Sequence, residues 1–215
     1  IRTFGDGLVA TSSFQSQSLP LLHLISRICP HVPVYFLDTG FHFPETIVYA
    51  EQLKIRMHLN LQMVRPLLTH ADFIEQHGEL YKSNPDMCCY LNKVEPMQRA
   101  LLGKSAWITG IRRDQTKQRK SSQVLSENSD GIIKVAPMLN WTNQDVDAYL
   151  KRHDLPEHPL LNEGYRSIGC APCTQPVAEG ADARSGRWSG KQKTECGLHF
   201  DPASGKLTRQ PNKPN

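Results

Sequence analysis

A chain of 215 residues with a formal charge of +4 and a hydrophobic share of 39% carries material for one good core, alone or with an appendage. No apolar run reaches bilayer-spanning length, so no transmembrane helix and no membrane partner are expected. The mild basicity suits an anionic small ligand, and without a Lys/Arg run interleaved with aromatics no nucleic acid is expected either. Ile1 to Gly7 lack the basic flank and apolar stretch of a signal peptide; with no initial Met, the natural N-terminus is expected upstream.

In chain order, Leu8 to Thr11 reads as a short buried strand. Pro20 opens a helix with Leu21, Leu24, Ile25 and Ile28 on one face. Pro33 to Leu37 is an apolar run ended by Asp38-Thr39-Gly40. Pro44 starts a second helix through Ile47, Ala50, Leu53 and Met57, and Leu59, Leu61 and Met63 alternate as a strand does. Val94 to Leu102 has helical spacing. Ala106 to Ile108 and Ile132 to Val135 read as strands, and Thr142 with Asp145 forms a capping box before Val146, Tyr149 and Leu150. Alternating strands and amphipathic helices imply an α/β fold, a mostly parallel sheet covered on both faces. Ligands of such sheets bind beyond the carboxyl ends of the strands. By that rule Ser12-Ser13, Asp38-Thr39-Gly40 and Arg112-Arg113-Asp114-Gln115 are all expected to face one crevice.

Residues 1–161 are expected to form the α/β core. From about Asn162 the chain turns rich in Gly, Pro, Ser and charge, and residues 162–215 read as a C-terminal arm laid over that core. Its last stretch, Phe200 to Asn215, lacks periodicity and is expected to be mobile.

Six cysteines are not spaced as a disulfide framework: Cys88-Cys89 are adjacent, Cys170 and Cys173 form a CxxC, and Cys29 and Cys196 stand alone. Adjacent Cα atoms lie about 3.8 Å apart, inside the usual disulfide minimum of about 4.4 Å, so a Cys88–Cys89 bridge is not expected. Two separate pairs point to metal or redox chemistry in a reducing compartment. Spacing leaves an iron–sulfur cluster and a structural zinc both open, with buried structural thiols last. Cys29 reads as a buried helix thiol.

Cys196 lies in Glu195-Cys196-Gly197-Leu198-His199. A lone cysteine is more often an incidental surface thiol, but one on a mobile arm can enter a cleft, react and swing out. Its thiolate is the reactive form; Glu195 is expected to oppose it, so arginines must supply the help. His199 is a candidate assistant or simply solvated. Arg112, Arg113, Lys117, Arg119 and Lys120 cluster after one strand, and Arg184 and Arg187 stand near Cys196. Either group alone reads as a solvated face; beside a crevice, arginine forks suit phosphate or sulfate. Ser12 and Ser13, with Ser16 and Ser18, precede a helix whose N-terminus suits an anion as well as it suits a plain serine cap.

With these residues the chain resembles the adenylylsulfate reductases, relatives of the phosphoadenylylsulfate reductases, from about Gly7 to His199. The resemblance rests on Leu37-Asp38-Thr39-Gly40, Cys88-Cys89 with Lys93-Val94-Glu95-Pro96, Trp107 to Gln115, Gly169-Cys170-Ala171-Pro172-Cys173-Thr174, and Glu195 to His199. It implies an adenine-nucleotide α-hydrolase-like fold and a nucleotide-binding core. It implies that Cys196 is the nucleophile and that Cys88, Cys89, Cys170 and Cys173 hold a 4Fe–4S cluster. Lys93 matches a lysine between cluster and substrate, Thr39 its neighbour, and Arg184 and Arg187 a pair near the phosphosulfate. The implied activity is reduction of adenosine 5′-phosphosulfate to sulfite and AMP through a Cys S-sulfonate. The implied reductant is a thioredoxin- or glutaredoxin-type dithiol, and the setting cytoplasmic sulfate assimilation, with a homo-oligomer left open. The 3′-phosphorylated nucleotide is the alternative substrate. Two positions depart from the family pattern: Phe41 stands where Arg is usual, and Ser13-Phe14-Gln15-Ser16-Gln17-Ser18 replaces a glycine-containing phosphate loop. A nucleotide-binding regulator or an ATP-dependent transferase on the same fold is the competing class. The transferase expects an SGGxDS-like loop that residues 12–18 do not supply.

Overall fold

The computed structural model describes residues 1–128, 131–191 and 193–198. The tail from Phe200 onward and His199 lie outside the described residues. The elements are β1 (Leu8–Thr11), α1 (Leu19–Ile28), β2 (Val34–Leu37), α2 (Pro44–Met57), β3 (Leu61–Val64), α3 (His70–His77), α4 (Leu80–Ser83), α5 (Pro85–Cys89), α6 (Glu95–Leu101), β4 (Ala106–Thr109), β5 (Leu125–Glu127), β6 (Ile133–Val135) and α7 (Asn143–Arg152). The six strands order as β3-β2-β1-β4-β6-β5, all parallel except the edge pair β5–β6.

Alternation along the strands divides the interior. Leu8, Ala10, Val34 and Phe36 point into one cluster with α1, α2 and α7. Val9, Tyr35 and Trp107 point the other way, against Met97 and Leu101 of α6. Helices thus cover both faces, as a parallel sheet requires. On α1 the buried face is Leu21, Leu22 and Ile25, continuing to the buried Cys29 just past the helix end. The expected Ile28 is instead 65% exposed. The helix ends there, and the turn toward β2 carries Cys29 inward in its place. On α7 the capping box forms in full, Thr142 and Asp145 exchanging side-chain-to-backbone hydrogen bonds, an arrangement worth about 1 kcal/mol.

The chain runs β1, β2, β3 to one side, then returns to lay β4 on the other side of β1. The crevice at such a reversal, beyond the carboxyl ends, is where ligands of this architecture bind. Between β3 and β4 lies a helical run of a different kind. Its α5 passes into a π-helical turn, Tyr90–Val94, in which Glu95 N–H reaches back to Tyr90 O. Pro96 follows, with no N–H to give to the usual acceptor. Such turns often mark functional sites; this one buries Asn92 and Lys93. Among the described residues no helix is long and apolar enough to cross a membrane.

Candidate active site

A cleft of about 490 Å³ opens at the reversal between β1 and β4. Thr11 and Thr109, paired neighbours at the ends of these strands, form its floor. Ser12 and Ser13 line one wall. The loop that follows needs one left-handed residue, and Phe14 takes that role at φ +52°. Its ring is fully buried, edge-on to Phe36 at 5.2 Å, which offsets the strain that glycine would avoid. This loop thus takes a left-handed turn at Phe14 rather than at a glycine. Gln15, also in this loop, accepts from Ile168 N at 2.9 Å, and both residues line the cleft.

The three polar clusters do not all face the cleft. Asp38, Thr39 and Gly40 are absent from its lining, as is Arg113. Asp38 instead pairs with Arg65 at 3.1 Å. Gly40 turns at φ +73°, where an added Cβ would meet His70 Cβ at 3.1 Å. Thr39 is buried with its hydroxyl 3.4 Å from Cys170 Sγ. Arg113 turns away to donate to Ser122 O at 2.8 Å and to Asn140. Arg112 does line the cleft, yet its fork is already engaged by Asp114, Asn143 and Gln17. It braces the wall.

The cysteine pairs meet. Cys88, Cys89, Cys170 and Cys173 all line one small cavity beside the cleft, together with Lys93 and Phe41. Phe41, in the position of the usual arginine, packs its ring against Phe73 and Tyr81 and roofs that cavity. The CxxC is held by Ala171 N–H donating to Phe41 O at 2.7 Å, and by Trp188 N–H donating to Cys173 O at 3.0 Å. Among the described residues no set of three or more His, Cys, Asp or Glu side chains is placed to hold a metal ion. The four thiols share the lining of that one cavity.

Their electrostatics are uneven. Burial, then its three cysteine neighbours, pushes Cys88 up to about 12. Burial pushes Cys89 up to about 11 against the pull of Lys93. Cys173 is raised by burial and by Cys170. Burial alone would raise Cys170 too, but Lys93, the Thr39 hydroxyl and Arg187 outweigh it and hold its thiol below the ordinary value. Lys93 shows the reciprocal effect: burial disfavours its charge, while Cys170, Cys89 and Cys196 hold it above the ordinary lysine range. Lys93 lines both the cysteine cavity and the cleft, so it stands between them.

Cys196 lines the cleft as a half-buried thiol, with Arg184 and Arg187. Arg187 is buried, stacks on Trp188 at 4.5 Å, and lies so close over Gly169 that a Cβ there would sit 2.2 Å from its guanidinium. A side chain at 169 would have to displace that guanidinium. Arg187 donates to Ile168 O at 3.2 Å, while its Nε is a buried donor with no hydrogen-bond partner among the described residues. Glu195, the neighbour of Cys196, is paired with Arg119 through two 2.8 Å hydrogen bonds. That pairing spans 76 residues of sequence, and no local pattern announces it. Leu198 packs against the Val9–Tyr35–Trp107 cluster.

The fold and this cleft define an α/β protein of the adenine-nucleotide α-hydrolase type, with a thiol and several cations at its switch point. Residues 7–176 match the model of the phosphoadenosine phosphosulfate reductase domain. The phosphoadenosine 5′-phosphosulfate reductase of Gloeobacter violaceus is 47% identical over 204 residues, covering 93% of this chain and 85% of that one. The adenosine 5′-phosphosulfate reductase of Streptomyces coelicolor is 44% identical over 199 residues, covering 92% and 84%. The phosphoadenylyl-sulfate reductase of Candida auris, solved as a phosphate complex, superposes with a TM-score of 0.70 at 35% identity, covering 82% and 85%. The chain belongs to the phosphoadenosine phosphosulfate reductase domain family.

Proposed function

We propose that this chain reduces adenosine 5′-phosphosulfate to sulfite and AMP in sulfate assimilation, with Cys196 as nucleophile and a thioredoxin- or glutaredoxin-type dithiol as reductant. The observation that carries this reading is the meeting of Cys196 with Lys93, Arg184 and Arg187 in one cleft at the ends of β1 and β4. A thiol alone has many uses. A thiol beside the buried Lys93 and Arg187, the latter with a donor that has no hydrogen-bond partner among the described residues, suits a substrate whose reacting centre is an anionic sulfur.

The chemistry balances as follows. Cys196 thiolate attacks the sulfonate sulfur; the S–O bond to phosphate breaks, and AMP leaves with the electron pair. Lys93 and the arginines offset charge on the leaving phosphate and on the transferred group. A partner thiolate then attacks Cys196 Sγ, releasing sulfite and leaving a mixed disulfide. The second partner thiol resolves it, so the dithiol loses two electrons and the sulfur gains two. Ser12 and Ser13, at the head of the loop before α1, are assigned to the nucleotide's phosphate.

The donor set of the side cavity fits an iron–sulfur cluster. Four thiols share it, three of them pushed to protonated forms by burial and mutual repulsion, and a cationic centre would relieve that repulsion. Cys88, Cys89, Cys170 and Cys173 would be the ligands; when bound, the cluster would supply charge and order, and no step above draws an electron from it. Reducing chemistry and six free thiols suit the cytoplasm.

The same reaction on the 3′-phosphorylated nucleotide is the second reading, favoured by the name of the relative that is 47% identical. Parallel steady-state assays at matched concentrations decide between them. We expect kcat/KM for adenosine 5′-phosphosulfate to be larger by at least about a hundredfold, some 2.7 kcal/mol. A comparable preference for the 3′-phosphorylated form overturns the choice.

A further inference from the structure

We infer that Glu195 is a positioning residue: its carboxylate, clamped by Arg119 and Thr116, latches the Cys196 segment into the cleft. This deepens the reading of Cys196 as the reacting thiol and rests on it. Arg119 is buried, and its Nε and one terminal nitrogen each donate to a different Glu195 oxygen at 2.8 Å. This is the two-pronged geometry that makes arginine–carboxylate pairs strong and directional. Thr116 Oγ1 donates to Glu195 at 2.9 Å, and Arg184 adds a longer contact at 3.7 Å.

The flanking residue is held the same way. Gln118 donates to Thr194 Oγ1 at 2.9 Å, and Arg184 donates to Thr194 O at 2.8 Å. Lys193 pairs with Asp86 of α5. Three consecutive residues are therefore tied to the core immediately before Cys196. Glu195 is the only one of them held by a two-pronged ion pair, with 9% and 18% side-chain exposure for the two partners. Arg119, expected from the sequence to meet the nucleotide, is occupied by this latch. Glu195 is held ionised: burial would raise its carboxyl, but Arg119 and then Arg184 outweigh it and keep it below the ordinary value. The latch thus stays intact at neutral pH and is lost only when pH falls below the usual glutamate range.

A latched Cys196 meets the substrate in the cleft; an unlatched one meets solvent and the dithiol. Removing the latch must shift both encounters, in opposite directions. The test compares the full-length holoprotein with Glu195→Ala and Glu195→Gln. Mass spectrometry follows alkylation of Cys196 by iodoacetamide without nucleotide. Single-turnover experiments follow S-sulfonation of Cys196 by adenosine 5′-phosphosulfate, and calorimetry gives AMP affinity. In Glu195→Ala, alkylation should quicken about tenfold and sulfonation slow about tenfold, with AMP affinity within about twofold. Glu195→Gln, which keeps an acceptor oxygen, should fall between.

Simple removal of a negative charge beside the thiol would speed both reactions, equally in the two variants. That pattern, or rates within twofold of the parent, overturns the latch. If the parent protein is not sulfonated by the nucleotide while Glu195→Ala still alkylates faster, the latch stands and the proposed function fails.

Discussion

Cys196→Ser is expected to abolish sulfite formation, by at least about 10⁴-fold, while AMP binding and iron content stay at parent levels. Removing a covalent nucleophile eliminates the step itself, and such losses reach about 10⁶-fold in other enzymes. The structure separates this loss from any folding defect. Cys196 is half-buried at the cleft and belongs to neither main core cluster. Its neighbours Thr194, Glu195 and Leu198 carry the contacts that hold the segment. The serine hydroxyl is nearly isosteric but has no accessible anion at neutral pH, so geometry persists and the nucleophile is lost. Coupled assays for sulfite, with calorimetry for AMP, check both halves.

Cys88→Ser is the second large effect. The variant should fall from about four irons per chain to below one and lose its broad absorbance near 400 nm. The physical reason lies in the cavity. Its thiols are buried among like groups, which holds Cys88 up near 12 and Cys89 near 11. A cationic centre would offset the mutual repulsion of four thiolates there, and a hydroxyl at position 88 would not take its share of that ligation. Cys88 also packs with Phe41 and Phe73, so a modest fall in thermal stability accompanies the loss. Iron analysis and the visible spectrum of the purified variant are read directly, independent of activity. A colourless parent protein with one zinc overturns the cluster assignment.

Much of the architecture was legible in the residues. Strands β1, β2 and β4 are short apolar runs, and α2 and α7 repeat apolar residues at helical spacing, with Thr142 and Asp145 marking where α7 begins. Local chemistry fixed these elements, so local reading found them. What escaped it was set by distant partners. The helices α3, α4 and α5 are short, and α4 has no buried residue at all; β5 is a three-residue edge strand with Leu125 exposed. None of these carries a periodicity long enough to read.

The site divides along the same line. The cysteine pairs were visible as pairs, but their meeting across about 80 residues was not in their spacing. The rule that ligands sit at the carboxyl ends of strands placed Ser12 and Ser13 at the cleft. It failed for Asp38 and Arg113, because Arg65 and Ser122 offer each a nearer partner. Glu195 was read from its neighbour in sequence as an obstacle to the thiolate. In space it is paired with Arg119, 76 residues away, which no local pattern shows.

Mass spectrometry of Cys196 after mixing the protein with adenosine 5′-phosphosulfate, with no reductant present, tests the central claim most directly. An added sulfonate of about 80 Da on the peptide containing Cys196, removed by a thioredoxin-type dithiol with stoichiometric release of sulfite, is the predicted result. An unmodified Cys196 in a protein that then forms sulfite once the dithiol is added contradicts it.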